Sequence, residues 1–364
     1  MSHRSTAALA AGLAVLALIP ASASAATKTV NMGTPASAQK DLGKIGAAGN
    51  VFSDANAFFP NGVTIHAGDS VKFAPTGFHD VNFPKKGGKP TGLLAAVGTT
   101  AGVLDAAGAA FWFNGQPTLA FPPALGPPGL YGKKTTYTGA KAVESGLPFA
   151  QHPKPFTVKF PKAGSYTFYC NVHPGMKGTV KVVSKSKSVP SAKADKRRVD
   201  AQVAAAIKEA KALLKTKPAA GTVSVGASGK GGVESYGMYP ATQTVPVGTT
   251  IKFSMSAKSL EDHTATFGPG DAEKEPTSYL GDLAKHFAED QIAPSQAIYP
   301  SEPAGTVAAL SPTLHGNGFW NSGVLDQSSA TPLPASGSVT FTAPGTYNFY
   351  CLIHTNMKGT VVVQ

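Results

Sequence analysis

Phe168-Tyr169-Cys170-Asn171-Val172-His173-Pro174-Gly175-Met176-Lys177-Gly178-Thr179-Val180 returns near the C-terminus as Phe349-Tyr350-Cys351-Leu352-Ile353-His354-Thr355-Asn356-Met357-Lys358-Gly359-Thr360-Val361. The two cysteines of the chain both lie here, each with His three positions on and Met six positions on. With nine His and six Met in 364 residues, a given Cys acquires both by chance roughly four times in ten thousand. Taken singly, each of these residues is ordinary, since Cys and Met are common core fillers. Taken as two matched sets they form a repeat, and a thiolate, an imidazole and a thioether on one loop are soft-metal donors.

One Cys and two His in a plane with a long axial Met is the ligand set of a copper electron-transfer centre, so each copy lacks one imidazole. Each half supplies a candidate on an earlier segment: His79 in Phe78-His79-Asp80-Val81-Asn82-Phe83, and His263 in Asp262-His263-Thr264-Ala265-Thr266-Phe267. With these residues the chain resembles the cupredoxins, the type 1 (blue) copper proteins of plastocyanin type, twice over. The C-x2-H-x2-M spacing is similar to that of the amicyanin branch. The resemblance implies an all-β chain of two Greek-key cupredoxin β-sandwich domains in tandem. It implies two copper ions per chain, one held by His79, Cys170, His173 and Met176, the other by His263, Cys351, His354 and Met357. It also implies that His173 and His354 are exposed ligands through which electrons pass to a redox partner protein. Plastocyanin-like sites commonly carry Asn after the first His, tying the ligand loops together. Asp80 and Thr264 stand there instead, so the two centres are expected to be tuned differently and to show two distinguishable potentials.

The rest of the chain is duplicated in the same frame. Met238 lies 180 positions beyond Phe58, Cys351 lies 181 beyond Cys170, and His263 lies 184 beyond His79. Val63-Thr64-Ile65, a turn at Ala67-Gly68-Asp69, and Ser70-Val71-Lys72-Phe73 read as a strand pair by their alternation. Phe156 to Phe160 and Ser338 to Phe341 read as strands. Each leads through Gly164 or Gly345 into a strand that ends at the Cys, and Gly178 to Val183 or Gly359 to Val363 returns as the last strand. From first His to Cys there are 91 residues in one half and 88 in the other, so each half carries a large insertion, roughly 88 to 150 and 268 to 335. The first insertion, rich in Pro and Gly, suits irregular loop. Phe111-Trp112-Phe113-Asn114 and Gly318-Phe319-Trp320-Asn321 are expected to plug the sandwiches. Residues 27 to 50 hold one strand-like fragment, Thr29 to Met32. Val199, Val203, Ile207, Ala210 and Leu214 recur at helical spacing before Pro218, which predicts one amphipathic helix joining the domains. The expected division is a signal peptide over 1–25, domain one over 27–184, a basic helical linker over 185–218 and domain two over 219–364.

The start of the chain reads as a signal peptide: His3 and Arg4, an apolar run from Ala7 to Ile19, then a small-residue cleavage site ending at Ala25. Export to the periplasm, the cell surface or the medium is the expectation, with no later segment apolar enough to span a membrane. In an oxidising compartment the two Cys could pair, but their equivalent places in two repeats commit each to its own half. Net charge is +12, with ten Lys or Arg between Lys185 and Lys217 against three Asp or Glu. An exported protein meets little nucleic acid, so this stretch is a solvated face or a contact for an acidic surface or acidic redox partner. Multicopper oxidases also use cupredoxin repeats, but they need His-x-His pairs and a His beside the Cys. This chain has neither, and it is read as a non-enzyme. Copper storage or delivery is the alternative to electron transfer. His66, His152, His286 and His315 do not repeat between halves and are expected at the surface.

Overall fold

The computed structural model describes residues 25–126, 129–150, 152–290, 292–328 and 333–364. The predicted signal peptide thus lies outside the described residues, apart from Ala25. Among the described residues no helix is long and apolar enough to cross a membrane.

Four sheets make two β-sandwiches. In the first half, one sheet runs in the order Phe58–Phe59, Thr27–Met32, Ser70–Pro75, Phe156–Lys159, Lys134–Thr136. The facing sheet runs Val143–Glu144, Asn82–Phe83, Gly164–Tyr169, Lys177–Val183, Gly62–His66. The second half repeats both orders: Val233–Tyr239, Thr222–Ser228, Thr250–Met255, Ser336–Phe341, Ala308–Leu310 in one sheet, and Trp320–Asn321, Thr266–Phe267, Gly345–Tyr350, Lys358–Val363, Thr242–Val245 in the other. Strands that bury alternate residues meet face to face, so Val71, Phe73, Phe156 and Phe168 share one core, and Ile251, Phe253, Val339 and Phe349 share the other. The segments 62–66 and 70–75 do not pair with each other as the sequence suggested. The turn at 67–69 carries the chain from one sheet to the other, as a Greek key requires.

The recurring Phe-Tyr-Cys and Lys-Gly-Thr-Val have a shared packing reason. Phe168 pairs with Gly178 across the last two strands, as Phe349 does with Gly359. A Cβ at Gly178 would stand 2.3 Å from the Phe168 ring, and one at Gly359 would stand 2.4 Å from Phe349. The glycine clears space for the ring that anchors the end of the Cys-bearing strand.

Three features lock the halves together. The strand Phe52–Ala55 leaves its own half and adds to the edge of the second half's sheet, antiparallel to Val233–Tyr239. Its central pair, Asp54 opposite Glu234, joins positions 180 apart, the duplication offset, so equivalent edges meet about a pseudo-two-fold axis. Residues 27 to 50, where the sequence suggests only one strand, also hold helix α1, Ala36–Ala48, which packs with helix α2, Ala192–Leu213. α2 lies within the stretch where the apolar spacing predicts a helix. Ser191 caps it by accepting from the Ala194 amide at 3.3 Å, and its stripe of Val199, Val203, Ile207 and Ala210 covers Phe59 of one half and Val233 of the other. Each half-buried aliphatic residue of that stripe contributes about 1 kcal/mol by the area it removes from water.

The insertions are the third lock, and here the sequence reading needs correcting. The first is not wholly irregular: Ala95–Thr99 and Pro117–Ala120 form a hairpin. The second carries helix α3, Tyr279–Glu289, and the single turn α4, Ser295–Ile298. Phe111 and Phe113 do not plug their own sandwich. They cross to the other insertion, where Phe113 stacks on Tyr299 at 5.6 Å and Trp112 Nε1 donates to the Pro300 carbonyl at 2.8 Å. Trp320 does enter its own core. His315, expected at the surface, is partly buried between Asp105 at 3.0 Å and Glu302 at 2.8 Å, and so helps fasten the two insertions.

Candidate metal centres

Each candidate centre sits where the Cys-bearing strand ends. In the first half the loop after Cys170 turns back by two hydrogen bonds, Met176 N to His173 O at 2.9 Å and Cys170 N to Met176 O at 3.0 Å. The second half repeats them at 2.8 Å and 2.9 Å, with Met357, His354 and Cys351. This closure holds Cys, His and Met at one end of the sandwich. The fourth residue comes from the segment leading into the strand beside the Cys strand, Asn82–Phe83 or Thr266–Phe267.

The donors converge. Cys170 Sγ lies 3.3 Å from His173 Nδ1 and 4.0 Å from His79 Nδ1, and the two Nδ1 atoms are 3.0 Å apart. In the second half Cys351 Sγ lies 4.0 Å from His354 Nδ1 and 3.9 Å from His263 Nδ1, with the Nδ1 atoms 3.1 Å apart. Donors about 2 Å from one ion in a trigonal plane stand about 3.5 Å from each other, so both triads fit a single ion. Met176 and Met357 are buried in the same clusters as their cysteines. No other His, Cys, Asp or Glu cluster of three with such spacing occurs among the described residues.

A glycine with φ of +99°, Gly33, lies against His79, where a Cβ would stand 2.5 Å from Nε2. Gly226, with φ of +78°, does the same at 2.7 Å for His263. Both first histidines are therefore pressed inward by bare backbone. The residue after each first His ties the two ligand loops: Asp80 accepts from the Asn171 backbone and side-chain nitrogens, both at 2.6 Å, and Thr264 Oγ1 accepts from the Leu352 amide at 2.8 Å.

Electrostatically the two centres part. Burial and then the Asp80 charge push the Cys170 thiol well above its ordinary range. Burial pushes Cys351 up too, but hydrogen bonds from His263 and His354 outweigh it and hold this thiol well below. Burial and repulsion from His173 drive His79 well down. His354 loses by burial and gains more from Cys351 and Glu261, reaching about 8.

His173 and His354 are not the open ports that the resemblance implied. His173 is 4% exposed and the His354 side chain 24%. Their outer nitrogens face one residue, Glu261: His173 Nε2 donates to Oε1 at 2.9 Å, and His354 Nε2 lies 3.7 Å from Oε2. The pseudo-two-fold pairing turns the two loops toward each other. Glu261 also accepts from Tyr236 Oη at 2.6 Å and Asn56 Nδ2 at 2.8 Å. Burial would raise this carboxyl, but the charge and hydrogen bond of His173 outweigh it and hold it well below the usual range. Beside it opens a largely apolar cavity of about 640 Å³, with Phe52, Phe78, Leu94 and Ile353 in its walls. Sequence reasoning missed Glu261, Tyr236 and Asn56. A faint signal existed, since Glu261 lies two residues before His263 where the first half has Gly77, but its destination depends on how the halves mate.

The chain matches no protein-family model and no curated protein. Solved structures that it is similar to include oxidised plastocyanin from Dryopteris crassirhizoma, at 22% identity over 39% of this chain and 99% of that one, TM-score 0.21. Another is a Cu(I) mutant of amicyanin, at 16% identity over 41% and 87%, TM-score 0.21. A third is reduced auracyanin from the photosynthetic bacterium Roseiflexus castenholzii, at 20% identity over 35% and 87%, TM-score 0.22. All three are cupredoxins.

Proposed function

We propose that this chain is an exported electron-transfer protein with one type 1 copper centre in each half. His79, Cys170, His173 and Met176 would hold one ion, and His263, Cys351, His354 and Met357 the other. The observation that carries the reading is the pair of triads, each with two Nδ1 atoms and one buried sulfur within 4.8 Å of one another. Copper bound there would supply a one-electron couple, because thiolate and thioether suit Cu(I) while the imidazoles also satisfy Cu(II). The protein holds the donors in place: loop closure fixes Cys, His and Met, Gly33 and Gly226 seat the first histidines, and Asp80 and Thr264 tie the loops. A cage this constrained changes little when charge changes, which keeps reorganisation small. The basic face of α2 suits an acidic redox partner.

The test is copper loading of the full chain. Two coppers per chain with a strong thiolate-to-copper charge-transfer band and a reversible electrode response support the reading. Colourless, electrode-silent protein at full copper occupancy overturns it.

A further inference from the structure

We propose that Glu261 joins the two centres: one carboxylate, set between the outer nitrogens of His173 and His354, that orients both loop imidazoles and couples one centre to the other. This rests on the copper reading above. Several observations converge on the residue. Glu261 is 7% exposed, and a buried carboxylate costs several kcal/mol unless hydrogen-bonded partners offset the loss of water. Its partners are His173 Nε2 at 2.9 Å on Oε1 and His354 Nε2 at 3.7 Å from Oε2, so three carboxylate atoms span the space between the rings. Accepting from Nε2 fixes His173 as the tautomer whose Nδ1 has a lone pair free toward Cys170. Tyr236 and Asn56, equivalent positions 180 apart, both donate to Oε1 and hold the carboxylate near the pseudo-two-fold axis. The equivalent position in the first half is Gly77, so one carboxylate serves two imidazoles.

His354 keeps 24% of its side chain exposed while His173 is buried, so the bridge links a centre next to solvent with one that is enclosed. With copper held at both sites, one electron passing between the centres would reduce one ion from Cu(II) to Cu(I) and oxidise the other from Cu(I) to Cu(II). No bond breaks and no proton moves, because Nε2–H and the carboxylate are unchanged.

Glu261→Gln, Glu261→Asp and Tyr236→Phe in the full chain test this. In copper-loaded protein, redistribution of one injected electron between the centres is expected to slow by about tenfold in Glu261→Gln, the low end of what loss of a ligand's outer partner costs in activity. Both charge-transfer bands should remain, and the midpoint potential should rise more at the first centre, whose contact is shorter. Glu261→Asp keeps the charge with less reach and should fall between. Should Glu261→Gln fail to fold by circular dichroism, Tyr236→Phe, which loosens the carboxylate without removing it, should move rate and potential the same way by less. Unchanged rates and potentials overturn the proposal. Metal-free, 15N-labelled protein gives an independent reading: a slowly exchanging Nε2–H signal from His173, and a weaker one from His354, both displaced in Glu261→Gln. Their absence in the wild type also overturns it. Colourless copper-loaded protein that keeps both signals would refute the copper reading and uphold the bridge.

Discussion

In the first half, a carboxylate follows the first histidine, and Asp80 grips Asn171 through both its oxygens; in the second, the same tie is one hydroxyl, Thr264, on the Leu352 amide. The loop-closing hydrogen bonds agree within 0.1 Å, while the residue that ties the loops is a carboxylate in one half and a hydroxyl in the other. Burial and Asp80 raise Cys170, whereas the imidazoles bring Cys351 down. The comparison teaches that duplication preserved what positions the donors and left free what sets their electrostatics. Glu261, present in one half and serving both, is the extreme case.

The largest effect expected from breaking the comparison comes at the sulfurs. Cys170→Ser and Cys351→Ser should each remove one charge-transfer band entirely and lower copper from two ions per chain to one, read by absorption and metal analysis. Loss of both bands from one substitution would mean that the sites are not independent in binding. Next come the seats of the first histidines. Gly33→Ala and Gly226→Ala place a Cβ against a ring at positive φ, and each should cost about 3 kcal/mol in denaturant unfolding, by strain and overpacking. Similar costs in both halves would show that the seat is a duplicated device. The ties should behave unequally: Asp80→Ala loses two charge-assisted bonds, about 3 kcal/mol, and Thr264→Ala one neutral bond, about 1 kcal/mol.

A pH-dependent effect lies on the pseudo-two-fold axis. Burial raises Glu234 from 4.5 to about 8, and raises Asp54 opposite it. The folded protein therefore holds protons that the unfolded chain releases. The associated stability is fully present below pH 4.5 and is lost as pH rises through about 8. Thermal melting across that window should show a falling Tm, and Glu234→Gln should flatten it. The smallest effect is at the exposed pair Lys196–Asp200 on α2, 2.8 Å apart, where Lys196→Ala should change stability by less than about 0.5 kcal/mol.

Much of this is legible in the sequence. The two His-Cys-His groups and the last three strands of each half can be read because strand alternation and a short loop are local in sequence. α2 is legible because its apolar stripe and the proline that follows it are local too. α1 is not, since its Ala, Gly and Lys give a weak stripe that packing against α2 completes. The crossing of Phe52–Ala55 into the other sheet is hidden because an edge strand reads the same whichever edge it joins. The burial of His173 is hidden for the same reason, since Glu261 of the other half meets its outer nitrogen at 2.9 Å, while His354 keeps 24% of its side chain exposed.

The pairing of equivalent edges about Asp54 and Glu234 makes the chain a dimer folded into one polypeptide. Two identical subunits arranged this way would have to repeat every side chain, so a glutamate reaching the axis from one would meet its copy from the other, two anions contending for one dry space. Joining the copies end to end removes that obligation. One lobe can give the acid and the other a glycine, and a symmetric scaffold acquires a front and a back.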